Sequence, residues 1–248
     1  MADNFAFNLG SLRSQMSITL HTHHASRLWM GRRVQTDKPG HSIIGMPRFI
    51  ALMEQMKTAA ANNDPYADNW LIRMEEKLEA ARTALRALNQ HVDEQLSKVP
   101  SAISIADNLN IQPLNFPLFI NCQLGYIGVY LLTEYDTLAR RILLANHTAM
   151  LGRRQMEQWL DQGAHEIRSA YGLAQQYKHA GVTRDDIAAN NARAREAFGK
   201  FGELPQDVLE GTRRSNFAPP LPQHNPQSTG AEHDLTEGAP IIDETEEQ

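Results

Sequence analysis

The sequence is poor in cysteine and in long apolar runs, and both absences bear on where the protein works. Cys122 is the one cysteine among 248 residues, so no internal disulfide can form, and its apolar neighbours indicate a buried, inert thiol. No segment approaches the roughly eighteen apolar residues of a membrane-spanning helix. The N-terminus also lacks the basic and then apolar pattern of an export signal. We therefore expect a cytoplasmic protein with no membrane partner.

Signatures of catalysis are missing as well. There is no GxxxxGKS or GxxxxGKT loop, no GxGxxG after a strand, no GxSxG, no HExxH and no paired CxxC. One enzyme hypothesis stays open, because His21 and His23 share a strand face and can hold a metal, as in endonucleases that pair such a strand with a tyrosine nucleophile. Tyr126, Tyr130 and Tyr135 are the candidate nucleophiles. No further ligand stands at helical spacing, so we expect no catalysis, no metal and no cofactor.

The C-terminal part of the chain has no positive charge. Residues 219–248 contain seven acids and no Lys or Arg, so the rest of the chain is slightly positive although the whole carries −5. This part is rich in Pro, Gly and polar residues and has no periodic apolar face, which is typical of disorder. We expect a flexible N-terminus at 1–11, a body at 12–211 and a disordered acidic tail at 212–248. The tail either keeps the protein soluble, or Ile241 and Ile242 with their flanking acids form a docking motif or compete with nucleic acid for the basic residues near the N-terminus.

Positive charge is concentrated near the N-terminus. Residues 13–48 hold six Lys and Arg against the single acid Asp37, a net charge of +5. Within this basic island, residues 15–21 alternate as in a half-buried strand, with Met16, Ile18 and Leu20 on one face. The other face presents Gln15, Ser17, Thr19 and His21. An exposed polar strand in a positive field is suited to an anionic partner, and we expect that partner to be double-stranded DNA.

Two such strands, paired antiparallel across a two-fold axis, make a ribbon that fits the DNA major groove. Gln15 can bond an adenine, Ser17 and Thr19 can bond several bases, and nearby arginines can hold phosphates. The predicted DNA contacts are Arg13, Gln15, Ser17, Thr19, His21, Arg27, Arg32 and Arg33. Two alternatives remain: an ordinary edge strand of a small sheet, and a second DNA-reading surface at the helix pair around residues 151–152 with Arg153, Arg154 and Gln155.

The rest of the body has helical periodicity. We predict a loop at 32–45, a helix from Pro47, a helix capped by Asp64, helices at about 125–150 and 153–178, a polar helix from Thr183 to about Lys200 and a last turn from Pro205. Residues 118–121 are a possible short strand. A heptad seam needs a partner helix, in this chain or in a second copy. Its members are Leu71, Met74, Leu78, Ala81, Leu85, Leu88 and Val92.

Five segments in order resemble one family. LRSQMSITLHTHHASRLWMGR, IIGMPRF, DPYADNWLIRMEEKLE, GVTRDDI and GELPQDVLEG are similar to AcaB-type transcriptional regulators of integrating conjugative elements and large conjugative plasmids, from about Leu12 to Gly211. The resemblance implies a mainly α fold with a small N-terminal β-ribbon, a ribbon-helix-helix-like dimer with extra helices. It also implies a nucleoid-associated activator of conjugative-transfer genes in the bacterial cytoplasm, with promoter DNA, a second copy and RNA polymerase as candidate partners.

One feature departs from that family pattern. A ribbon-helix-helix unit passes straight from strand to helix, whereas the first clear helical pattern here begins only at Pro47. Either residues 25–30 form a short first helix or the strand is placed wrongly. The other functions kept open are a coiled-coil structural or adaptor protein of a mobile element and a metal-dependent DNA-processing enzyme.

Overall fold

The computed structural model describes residues 15–32 and 42–221. Arg13, Arg33 and the segments 1–11 and 222–248 lie outside these described residues. The described chain is mainly helical with a small two-stranded antiparallel sheet, as predicted. In order, its elements are β1 Met16–Leu20, α1 His23–Met30, α2 Met46–Ala61, α3 Pro65–Leu96, β2 Leu114–Leu118, α4 Gln123–His147, α5 Arg153–Gln175, α6 Arg184–Ala188, α7 Ala192–Phe201 and α8 Gln206–Leu209. None of these helices is long and apolar enough to span a bilayer.

A short helix follows the first strand directly. Thr22 begins α1 because its hydroxyl accepts a hydrogen bond from the Ala25 N–H at 3.1 Å. Gly31 ends the helix with a φ of 73°, and a side chain there would meet the Gly45 backbone at 2.5 Å. The first of the two alternatives is therefore correct: β1, α1 and α2 follow one another as strand, helix and helix.

The second strand of the sheet comes from the same chain. β1 pairs antiparallel with β2, with Ser17 opposite Pro117 and Thr19 opposite Asn115. This pairing corrects the expectation that β1 needs a second copy to form a ribbon. The strand expected at 118–121 lies four residues earlier, at Leu114–Leu118. Pro117 obscures it in the sequence, because proline cannot donate to a ladder and argues against a central strand.

The heptad seam of α3 is covered within the chain. Every member of the seam is at most 3% exposed, and α3 packs against α2, α4 and α5. Tyr135 and Leu138 of α4 and Leu160 and Ile167 of α5 belong to the same core. Neither the α3 seam nor β1 therefore needs a second copy of the chain as its partner.

The helices after α5 differ from the expectation in one place. Thr183 and Asp186 form the predicted capping box, but the polar helix from Thr183 is split into α6 and α7. Asn190 has a φ of 45°, which an α-helix does not allow, and the Asn191 side chain then caps α7 by accepting from the Ala194 N–H at 3.0 Å. The last turn, α8, begins after Pro205 as expected.

The segment after α8 is fastened to α3. Arg214 donates to both carboxylate oxygens of Asp68, at 2.8 and 3.0 Å, while Arg184 donates to one of them at 2.7 Å. Asn216 and Ser215 bond to Glu75, and Phe217 packs against the core. The boundary expected at 212 is therefore too early, because residues 212–221 belong to the folded body.

Candidate nucleic-acid interface

The exposed face of the β1–β2 ribbon is polar. Ser17 and Thr19 are exposed, whereas Ile18 and Leu20 are buried in the core, so the side chains alternate as predicted. Gln15, just before the strand, is exposed as well. Opposite Thr19, the exposed Asn115 accepts a hydrogen bond from the threonine hydroxyl at 2.6 Å. The ribbon therefore presents hydroxyl and amide groups from both strands side by side.

The turn between β1 and α1 is held by one buried carboxylate. Asp136 of α4 accepts hydrogen bonds from the backbone N–H of His21 at 3.0 Å and of Thr22 at 2.8 Å. The Thr22 hydroxyl also donates to Asp136 at 2.7 Å. Asp136 is only 3% exposed, so these bonds are formed away from water. The direction in which the ribbon leaves the core is therefore fixed by α4.

His21 differs from the other residues of the predicted polar face. Its Nδ1 accepts from the backbone N–H of Asn110 at 3.3 Å, and its carbonyl accepts from the Asn110 side chain at 3.1 Å. The histidine is half-buried under the segment that precedes β2. It is thus occupied in holding that segment.

A basic crevice lies beside α1. His24, Arg27 and Arg32 line it from the N-terminal side, and Arg168 of α5 lines it from the other, with Asp161 as its acid. Its volume is about 200 Å³. Arg27 is exposed and forms no ion pair with any described residue. The lining thus holds three arginines, and guanidinium groups bind phosphate through charged hydrogen bonds.

The pKa of His24 is shifted by its surroundings in the crevice. Burial lowers the pKa of His24 below its ordinary value of 6.5, and the charges of His23 and Arg27 lower it further. Asp161 opposes these effects. A phosphate in the crevice would add negative charge and favour the protonated form of His24.

Two residues of this surface were missed in the sequence. Asn115 and Arg168 lie 67 and 120 positions beyond Arg48, the last residue of the basic island, and only the fold brings them to it. An isolated arginine on a predicted helix carries no local signal. Asn115 stands in a stretch between prolines that does not resemble a strand.

The alternative DNA-reading surface is the start of α5. Arg153, Arg154 and Gln155 are exposed there, and Arg153 forms an ion pair with Glu157 at 2.9 Å. Just beyond, Trp159 and Leu160 are buried. One of the two arginines is thus partly neutralised by its own helix.

Two of the three tyrosines considered as nucleophiles for metal-dependent cleavage have other contacts. Tyr135 is fully buried and donates to the Leu160 carbonyl at 3.0 Å, and burial raises its pKa well above the ordinary range. The Tyr126 hydroxyl contacts the Met16 sulfur at 3.4 Å. Within residues 15–32 and 42–221, no three His, Cys, Asp or Glu side chains are grouped so that they could hold a metal ion.

Comparison with known proteins identifies the family. The family model described as "Transcriptional regulator AcaB" matches residues 8–222. The chain belongs to the AcaB transcriptional regulator family. The fold of this family is also found in the crystal structure of selenomethionine-containing AcaB from uropathogenic E. coli, with a TM-score of 0.51 and 12% sequence identity. That match covers 81% of this chain and 98% of the other. Among curated proteins no significant match was found.

Membership in the AcaB family makes this chain a transcriptional regulator. The matched range includes β1, the basic crevice and the anchored segment up to residue 221. The strand, helix and helix at the start of the chain therefore lie inside the part of the chain that the AcaB family model matches.

Proposed function

We propose that the protein is a DNA-binding transcriptional activator of conjugative-transfer genes, and that it reads promoter DNA with the β1–β2 ribbon in the major groove. The observation that carries this proposal is the exposed polar face of the ribbon beside a crevice lined by three arginines. A two-stranded antiparallel ribbon has the width of the major groove. Because β2 supplies the second strand, each chain can present a complete ribbon.

In this proposal the two strands of the ribbon recognise the bases. The hydroxyl proton of Thr19 is directed to the Asn115 carbonyl oxygen, which leaves the Asn115 amide N–H groups to donate to base acceptors. Ser17 can donate or accept, and Gln15 can make the paired bonds that recognise adenine. This arrangement extends the predicted reading face from β1 to β2.

In this proposal the arginines of the crevice bind the DNA phosphates. Arg27, Arg32 and Arg168 approach it from α1, the loop after α1 and α5. Arg13 and Arg33, which lie outside the described residues, remain proposed phosphate contacts because they belong to the same basic island. Such contacts position the protein and raise affinity for any sequence, whereas the ribbon supplies specificity.

The remaining partners are proposed from the family resemblance. We expect a homodimer in which each chain reads one half-site, RNA polymerase as a further candidate partner, and a nucleoid-associated location in the bacterial cytoplasm. The coiled-coil adaptor function loses its main support, since the α3 seam is covered by helices of the same chain. No arrangement of the described residues favours the metal-dependent enzyme over DNA recognition.

The test begins with selection of binding sites from a random-sequence DNA library, followed by gel shifts on the selected site and on unrelated DNA. Thr19→Ala and Asn115→Ala should each weaken binding to the selected site by about 1–3 kcal/mol and leave binding to unrelated DNA nearly unchanged. Thr83→Ala is the matched control, because Thr83 is an exposed threonine in the middle of α3. It should change neither affinity.

The arginines should behave differently. Arg27→Ala should weaken binding to both DNAs alike and flatten the slope of log affinity against log salt by about 0.9 for each phosphate that is no longer bound. Arg86→Ala on the exposed side of α3 is the matched control. If the ribbon variants bind normally while Arg153→Ala, Arg154→Ala or Gln155→Ala abolishes binding, the start of α5 is the reading surface and the ribbon is not.

A further inference from the structure

A cavity with both polar and apolar walls lies on the outer side of α4. It is bordered by α4, the C-terminal end of α3 and the irregular segment 99–112, which we call the strap. Its volume is about 480 Å³, within the range of about 300–1,000 Å³ that is typical of small-molecule sites. The apolar part of the lining consists of Leu96, Val99, Pro100, Ile103, Ile105, Ala106 and Leu144.

The guanidinium of Arg140, which lines the cavity, has an N–H donor without a hydrogen-bond partner among the described residues. The Nε of Arg140 is buried and has no hydrogen-bond partner among the described residues, while its Nη2 donates to the Thr137 hydroxyl at 3.3 Å. The neighbouring Arg141 is instead engaged by Asn89 and Asp93. Asp107 also lines the cavity but forms no ion pair with either arginine. A buried donor without a partner costs free energy, which a bound acceptor would recover.

We propose that this cavity binds a small organic carboxylate with an apolar body, and that its binding alters DNA recognition through the strap. The carboxylate would accept hydrogen bonds from Arg140, whose fork of N–H groups matches carboxylate geometry. The apolar body would lie against Ile103 and Ile105, which are 58% and 37% exposed without it. The part of the proposal that concerns DNA rests on the proposed function.

The strap connects the cavity to the ribbon. Within the strap, the Asn108 side chain donates to the backbone carbonyl of Arg140 at 3.4 Å. Two residues later Asn110 donates two hydrogen bonds to His21, which follows β1 directly. The chain then enters β2 at Leu114. A ligand that binds more tightly to a shifted strap than to the strap in this position therefore acts on both strands of the ribbon.

Calorimetry on the full-length protein tests the binding site. The probes are sodium octanoate and 1-naphthoate, with 1-octanol as the uncharged counterpart of octanoate. Octanoate or naphthoate should bind the wild type, and Arg140→Gln should weaken that binding about tenfold or more, as expected when a charged hydrogen bond is removed. Octanol should bind weaker than octanoate by a similar factor. Arg86→Gln, at an exposed arginine of α3, should leave binding unchanged.

A second variant keeps the test independent of Arg140. Ile103→Asp places a negative charge in the lining at a side chain that is already exposed, so the fold should be preserved while carboxylate binding is abolished. Failure of both carboxylates to bind, equal binding of octanoate and octanol, or wild-type affinity in Arg140→Gln would each overturn the carboxylate site.

Gel shifts at saturating carboxylate test the connection to DNA. The affinity of the wild type for its selected site should change about threefold or more, and that of Arg140→Gln should not. If the carboxylate binds through Arg140 but DNA affinity does not change, the connection between cavity and ribbon is refuted, whereas the carboxylate site is supported. A protein that binds no DNA with or without carboxylate would refute the proposed function and the connection, and the calorimetric result would still decide the site.

Discussion

The Asp136 carboxylate accepts hydrogen bonds from both the backbone N–H and the hydroxyl of Thr22, although the two residues are 114 positions apart. Thr22 is at the same time the N-cap of α1. One buried acid of α4 thus fixes the end of β1, the start of α1 and hence the orientation of the proposed DNA-reading ribbon.

Replacing this acid should therefore affect both stability and DNA binding. Asp136→Asn turns one acceptor oxygen into an N–H donor that faces another N–H, and an unpaired buried donor costs about 1–3 kcal/mol. We expect a decrease of that size in the free energy of unfolding and weaker binding to the selected site. Chemical denaturation and gel shifts measure the two effects. Asp185→Asn, at an exposed acid of α6, should change neither, and normal DNA binding by Asp136→Asn would show that the turn does not orient the ribbon.

Two helical glycines give a matched pair for core packing. A side chain at Gly128 of α4 would stand 2.4 Å from the ring of Phe49, whereas one at Gly172 of α5 would meet no atom within 4 Å. Gly128→Ala should lower the free energy of unfolding by about 1–3 kcal/mol through overpacking. Gly172→Ala should raise it by about 0.5–1 kcal/mol, because alanine favours a helix more than glycine does. Urea denaturation of both variants checks the sign, and equal effects would contradict this difference in packing.

Local patterns predicted those parts of the fold that depend on neighbouring residues. The alternation in residues 15–21 predicted that Ile18 and Leu20 are buried, and spacings of three and four predicted a seam along α3 that is buried throughout. The capping box at Thr183 and Asp186 was predicted for the same reason, since all its atoms come from four consecutive residues.

Features that join distant segments were not predictable in this way. Nothing near Met16 or Leu114 indicates that β1 and β2 pair, and Pro117 argues against a strand at that place. The partner of the α3 seam, the position of Arg168 in the crevice and the role of Asp136 likewise depend on tertiary packing. The eight-residue α1 was uncertain because so short a helix is stabilised mainly by its cap and its buried face.

The C-terminal boundary can be tested by two truncations. Ending the chain at Leu221 keeps the ion pairs between Arg214 and Asp68, so the free energy of unfolding should stay within about 0.5 kcal/mol of the full-length value. Ending it at Gly211 removes Arg214 and should cost about 3 kcal/mol or more, because the fully buried Asp68 loses one of its two cationic partners. Thermal and chemical denaturation measure both. Equal stability of the two truncated chains would show that the anchored segment contributes nothing.

The shorter of these deletions also bears on DNA binding. Residues 222–248 contain all seven acids of the tail and no Lys or Arg, so their removal takes away seven negative charges that repel phosphate. Binding should tighten at low salt, and the gain should shrink as salt is added. A gain that is independent of salt would point to a direct contact of the tail instead.

His24 should make stability and DNA binding respond to pH in opposite directions. Because the pKa of His24 is lowered in the folded protein, the unfolded chain binds its proton more readily, and the free energy of unfolding should fall as pH drops below about 6.5. Affinity for DNA should instead rise over the same range, since a phosphate in the crevice favours the charged imidazole. His24→Asn should reduce both slopes, whereas His165→Asn at an exposed site of α5 is the control. Denaturation and gel shifts from pH 5.5 to about 7.5 measure the two slopes. If His24→Asn reduces the stability slope alone, the crevice does not hold a phosphate next to His24.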